Sequence, residues 1–129
     1  MKEATGTGKK VLYFLPATLY CAAIFYFSSK TISIDVGISN FDKFLHGLEF
    51  GGLGFLLALG FFRTLQHSMI LRIGVSWGAG LVLGTLDEFH QTFVPGRQSD
   101  VLDLLADAVG SALGVLIFIL IARKIKLPH

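Results

Sequence analysis

Four stretches of the chain are almost continuously apolar: residues 11–27, 44–62, 69–86 and 104–122, each bounded by polar or charged runs. A helix that crosses a membrane needs about 20 mostly apolar residues. The stretches are rich in Phe, Leu, Gly and Ala, without the strict alternation of barrel strands. The pattern predicts an all-α fold, an integral membrane four-helix bundle. The chain then divides into an N-terminal tail over 1–10, a transmembrane domain over 11–122 and a basic tail over 123–129. The first stretch carries Pro16 and runs into Ser28-Ser29-Lys30 with no small-x-small cleavage site, so it reads as a retained span rather than a secretory signal.

Composition sharpens this picture. Hydrophobic residues make up 53% of the 129 and charged residues 16%, against about 25% charged in ordinary soluble domains. A mean hydropathy of +0.67 leaves little soluble surface. The net charge of +2 argues against nucleic-acid binding, and the single cysteine, Cys21, excludes an internal disulfide or a CxxC site. Most of the basic residues (Lys2, Lys9, Lys10, Arg63, Arg72, Arg123, Lys124 and Lys126) fall on the side shared by the two termini. By the positive-inside rule that side, with the tight 63–68 loop and His67, is cytoplasmic. Asp35, Asp42, Glu49, Asp87, Glu88, Asp100, Asp103 and Asp107 then gather at the outer side, leaving only Glu3 inside.

The acids and histidines form constellations. Asp42, His46 and Glu49 recur at i, i+4 and i+7, which puts all three on one helical face. Glu49 lies roughly 10 Å below Asp42, a depth at which a charge needs a partner or a wet cavity. Asp103 and Asp107 repeat the device on the fourth helix, behind Arg97, Ser99 and Asp100. The third helix ends Asp87-Glu88-Phe89-His90-Gln91, with Asp87 and Gln91 on one face, Glu88 on another, and His90 able to join either cluster.

Three chemistries suit such a centre. A carboxylate–histidine pair (His46 with Asp42, Asp87 or Glu88) can act as general acid and base on a lipid-linked substrate, with Arg97 gripping phosphate. Lys43, Gln91, Asp103, Asp107 and Glu49 would then bind the ligand, while Ser28, Ser29 and Ser99 are nucleophiles only by default. A divalent metal on His46, Asp42 and Asp87 is a second option, but no HxxxH or HExxH spacing supports it, so no metal or cofactor is expected. Polar-ligand binding or proton relay is the third. A purely structural network, with Arg97 and Lys43 neutralising Asp42, Asp87 and Asp103, competes with all three.

Glycines pair four apart at Gly47 and Gly51, Gly74 and Gly78, Gly80 and Gly84, and Gly110 and Gly114, with Ala106 one turn before the last pair. Such spacing lets membrane helices pack closely and also suits a homo-oligomer.

Taken in order, Ile24-Phe25-Tyr26-Phe27-Ser28-Ser29, Asp42-Lys43-x-x-His46, Asp87-Glu88-x-x-Gln91-x-Phe93-x-Pro95-Gly96-Arg97 and Asp103-x-x-x-Asp107-x-x-Gly110-x-x-x-Gly114 resemble the VanZ-like membrane proteins. The run from Asp87 to Asp103 is the specific part. Phe50 stands where the family often has Tyr, Lys30 where Gln is frequent, and Asp107 where Asn is common. The resemblance implies a multi-pass protein of the bacterial inner membrane, with membrane lipids and a lipid-linked cell-wall intermediate as partners. It also implies a link to low-level resistance to teicoplanin-type glycopeptides, and carries over Asp42, Lys43, His46, Asp87, Glu88, Gln91, Arg97 and Asp103 as the polar centre. The expectation is a polar centre facing the outer leaflet that binds or modifies a cell-envelope component. A small proton- or ion-coupled transporter and a non-catalytic accessory subunit are the alternatives.

Overall fold

The computed structural model of the protein describes residues 6–30, 41–97 and 99–126. Most of the 28–43 stretch, with Asp35, and the tail residues Lys2 and Glu3 lie outside them, as does the end of the basic tail. Among the described residues the elements are all helices, with no strand: α1 (Thr7–Leu12), α2 (Leu15–Ser28), α3 (Phe41–Thr64), α4 (Met69–Gln91) and α5 (Val101–Lys124). Three of them, α3, α4 and α5, are long and apolar enough to cross a membrane, and α2 is a shorter apolar helix.

The first apolar stretch is split in two for a local reason. Pro16 has no N–H to donate and its ring crowds the carbonyl four residues earlier, so a helix cannot run straight through it. The chain instead makes a tight turn, with Tyr13 N–H on the Lys10 carbonyl (3.2 Å) and Phe14 N–H on that of Val11 (3.0 Å), and α2 restarts with the proline in its first turn. The starts of α4 and α5 are set by caps. Ser68 Oγ accepts from Leu71 N–H at 3.3 Å to open α4, and Asp100 Oδ1 accepts from Leu102 N–H at 2.9 Å to open α5.

Glycine governs how α3 meets α5. A Cβ at Gly110 would run into the backbone of Gly47, and one at Gly114 into that of Gly51. Each step of four along α3 is matched by a step of four along α5, so the two helices run parallel with their backbones in contact. Phe55 and Phe118 continue the same register edge to face, with centroids 5.5 Å apart. On the adjacent face of α5, Gly80 receives the Ser111 side chain and Gly84 that of Asp107, so α4 runs antiparallel to both. A Cβ at Gly74 or Gly78 would meet none of the described residues within 4 Å, so that pair makes no close helix contact among them.

Two apolar clusters fill the interior. Ala17 and Ile24 of α2 pack on Phe50, Leu53 and Leu57 of α3, and Ala58 of α3 packs on Val115, Phe118 and Ile119 of α5. The outward positions are also apolar, including Leu19, Phe44, Leu48, Ile70, Val82, Leu113 and Ile117. An apolar exterior on helices of this length is the surface that lipid requires. The parallel register brings the N-termini of α3 and α5 and the C-termini of α2 and α4 to one end, and the polar residues are buried there. At the other end Arg72 is buried over the Phe62 ring, 4.8 Å from its centroid, and His67 is exposed.

Candidate functional site

The polar end holds a cavity of about 410 Å³ with a mixed wall. Asp42, His46 and Glu49 of α3 line one side, as their i, i+4, i+7 spacing requires, with Phe41 and Leu45 between them. Asp87 and Gln91 of α4, Phe27 and Ser28 of α2, and Arg97 complete it. Lys43, Glu88, Asp103 and Asp107 do not line it.

Lys43 is the hub of an ion-pair group. Its ammonium lies 3.1 Å from Asp100, 3.4 Å from Asp103 and 3.5 Å from Asp42. Acids beside helix N-termini are also favoured by the helix dipole. The carboxyl of Asp100 is held below the usual carboxylate range, first by the Leu102 N–H that it caps and then by the Lys43 ammonium.

Deeper in, His46 Nδ1 lies 3.0 Å from Asp107 Oδ1, and its Nε2 lies 4.0 Å from Asp103. Gln91 Nε2 donates to Asp87 Oδ2 at 3.2 Å, and the Asp100 N–H donates to Glu88 Oε2 at 3.2 Å. One oxygen of each of these acids remains unsatisfied: Asp87 Oδ1, Glu88 Oε1 and Asp107 Oδ2, as does the Ser28 hydroxyl in the cavity wall. Asp87 and Asp107 are each 1% exposed and Glu88 6%. Buried polar atoms without partners are uncommon in folded chains and call for an explanation.

Arg97 owes its position to a turn. Its N–H closes on the Val94 carbonyl at 3.2 Å, with Pro95 second and Gly96 third at φ 79°, the type II arrangement that needs glycine there. Its guanidinium reaches back to the Lys30 carbonyl at 3.0 Å, joining this turn to the end of α2. Ser29 makes a second tie, 2.8 Å from His90 Nε2.

Several placements differ from the sequence pattern. Arg97 forms an ion pair neither with Asp87 nor with any other described acid; its guanidinium donates instead to the Lys30 carbonyl. Glu88, expected on a separate face from Asp87, is buried beside it, because neighbours on a helix can flank one interhelical space. His90 turns to Ser29 and the Phe25 ring, away from the carboxylates. Pattern reasoning missed the Lys30 carbonyl, for which the chain offers no signal. It also missed the apolar wall of Phe41 and Leu45, which the same i, i+4 spacing could have shown. The grouping of His46, Asp87, Glu88 and Asp107, whose candidate donor atoms all lie within 4.8 Å of one another, joins three helices and matches no short motif.

Against known proteins, a family model described as VanZ/LLP1 matches residues 3–122. No curated protein and no solved structure matches the chain.

Proposed function

The chain belongs to the VanZ/LLP1 family, and from that premise we propose that it is a four-span protein of the bacterial inner membrane whose polar cavity opens to the outer leaflet. Both termini are cytoplasmic in this reading, following the bias of Lys and Arg along the sequence. The cavity binds or modifies a cell-envelope component, a lipid-linked cell-wall intermediate being the chemistry that best suits it, and so lowers sensitivity to teicoplanin-type glycopeptides. His46, Asp87 and Gln91 contact the polar part of that component, and Arg97 grips an anionic group on it. Lys43, Asp103 and Asp107 hold the wall in place. Asp42 lies at the rim, and Glu49 faces the bound group from the side of α3.

The observation that carries this reading is the cavity itself. It is large enough for a headgroup, flanked by Phe27, Phe41 and Leu45 for an apolar tail, and backed by acids with unspent oxygens. A network serving only to fix helix register would be expected to close on itself, as the Lys43 group does. Association with a second copy would use the face of Gly74 and Gly78, where an added Cβ meets none of the described residues within 4 Å.

The test is teicoplanin susceptibility of a sensitive bacterium expressing wild type or His46→Ala, Asp87→Ala or Arg97→Lys, with membrane abundance measured for each. Protection should fall at unchanged abundance, and Arg97→Lys should fall with the rest because lysine cannot bind an oxyanion through two parallel bonds. Well-inserted wild type that gives no protection would contradict the resistance role.

A further inference from the structure

We propose that His46, Asp87, Glu88 and Asp107 together hold one divalent metal cation. The four come from three helices, α3, α4 and α5, and each offers one donor atom within 4.8 Å of the others. Three of them are carboxylates at most 6% exposed, and each keeps one oxygen without a hydrogen-bond partner. The cations nearby are committed elsewhere. Lys43 pairs with Asp42, Asp100 and Asp103, and Arg97 donates to the Lys30 carbonyl.

An ion at the centre of the group would answer the unsatisfied oxygens of Asp87 and Glu88, with Asp107 turning one of its two oxygens to it. Ligand atoms about 2.1 Å from one ion and at right angles around it stand about 3.0 Å apart. His46 Nδ1 and Asp107 Oδ1, hydrogen-bonded at 3.0 Å, already stand at that separation, and a shared cation would replace the proton between them. Ligands on opposite sides of such an ion stand about 4.2 Å apart, so a spread of 4.8 Å closes with a small side-chain rotation. Carboxylates with one imidazole suit Mn²⁺ or Zn²⁺, whereas Ca²⁺ favours oxygen alone and Cu(I) favours sulfur. Asp87 and His46 belong both to this group and to the cavity wall, so the ion faces whatever anionic group enters.

The site is separable from the envelope-ligand reading, because it can be measured in purified protein without any lipid substrate. Full-length protein in detergent, stripped with a chelator, is titrated with Mn²⁺ and followed by electron paramagnetic resonance. The expected result is one Mn²⁺ per chain with hyperfine coupling to an imidazole nitrogen. His46→Gln should abolish that coupling, and both His46→Gln and Asp107→Asn should weaken binding at least about tenfold. His67→Gln, at the exposed opposite end, should change nothing. Displacement of Mn²⁺ by Zn²⁺ from the same site supports the assignment equally. Folded wild type that binds no stoichiometric Mn²⁺ or Zn²⁺, or binding without nitrogen coupling that survives Asp107→Asn, would overturn it, and the wild-type result decides even if the variants fail to fold. Wild type that binds no metal yet protects cells would overturn this site alone, and wild type that binds metal yet gives no protection would overturn the resistance role alone, so the two readings fail separately.

Discussion

A side chain at position 96 would have to be carried at φ 79°, in the left-handed region where a Cβ crowds the neighbouring carbonyl. Gly96→Ala should therefore cost about 1–2 kcal/mol, seen as a lower midpoint of thermal unfolding in detergent. It should also impair function more than abundance, since the turn aims Arg97. Gly96→Asn should recover part of both, because Asn tolerates this region better than other residues with a side chain. A midpoint unchanged by Gly96→Ala would mean that the turn is not held in this conformation. The Pro95-Gly96-Arg97 run was visible in the sequence as a motif. Its mechanical meaning, a turn that ties Arg97 back to the Lys30 carbonyl, depends on a backbone atom that no pattern of side chains marks.

Helices α3 and α5 touch through backbone, and the glycines there differ sharply from Gly74 and Gly78 of α4. Gly114→Val would force valine carbons into the Gly51 backbone, whereas Gly78→Val enters open space. Overpacking costs about 1–3 kcal/mol, so the first variant should unfold at clearly lower temperature or fail to accumulate, and the second should match wild type as a monomer. Equal effects would contradict the parallel α3–α5 contact. The spacing of four was legible for every pair, but which pairs pack depends on the relative register of helices distant in sequence. At the head of α5, Asp100→Ala should lower the unfolding midpoint, while Asp100→Asn keeps a capping acceptor and most of the stability. Because the folded carboxyl is held below its usual range, its contribution is complete above about pH 4 and is lost as pH falls through the lowered value. The midpoint of wild type should therefore drop more between pH 6 and pH 3 than that of Asp100→Asn, and parallel drops would remove the Lys43–Asp100 pairing as a source of stability.

At the scale of the whole molecule, hydropathy made the helical class and the long apolar helices legible, because the lipid-facing and interior positions of such helices are both apolar. It blurred their ends. The helices extend beyond the apolar stretches to Phe41, Gln91 and Val101, since the polar turns of α3, α4 and α5 are buried against one another and continue the helix. It also hid the break before Pro16, which local sterics impose inside an apolar run. For the polar end, spacing along α3 placed Asp42, His46 and Glu49 on one wall, but the meeting of Asp87, Glu88 and Asp107 with His46 is a product of three-helix register. The central claim is that this end, and not the Arg72 end, faces outward. It is tested most directly by cysteine labelling in intact spheroplasts, using a Cys21→Ala background with Asp42→Cys at the exposed rim or Lys124→Cys at the far end of α5. A membrane-impermeant maleimide should label Asp42→Cys in intact cells and Lys124→Cys only after the membrane is opened. The reverse pattern would place the cavity on the cytoplasmic side and contradict the account.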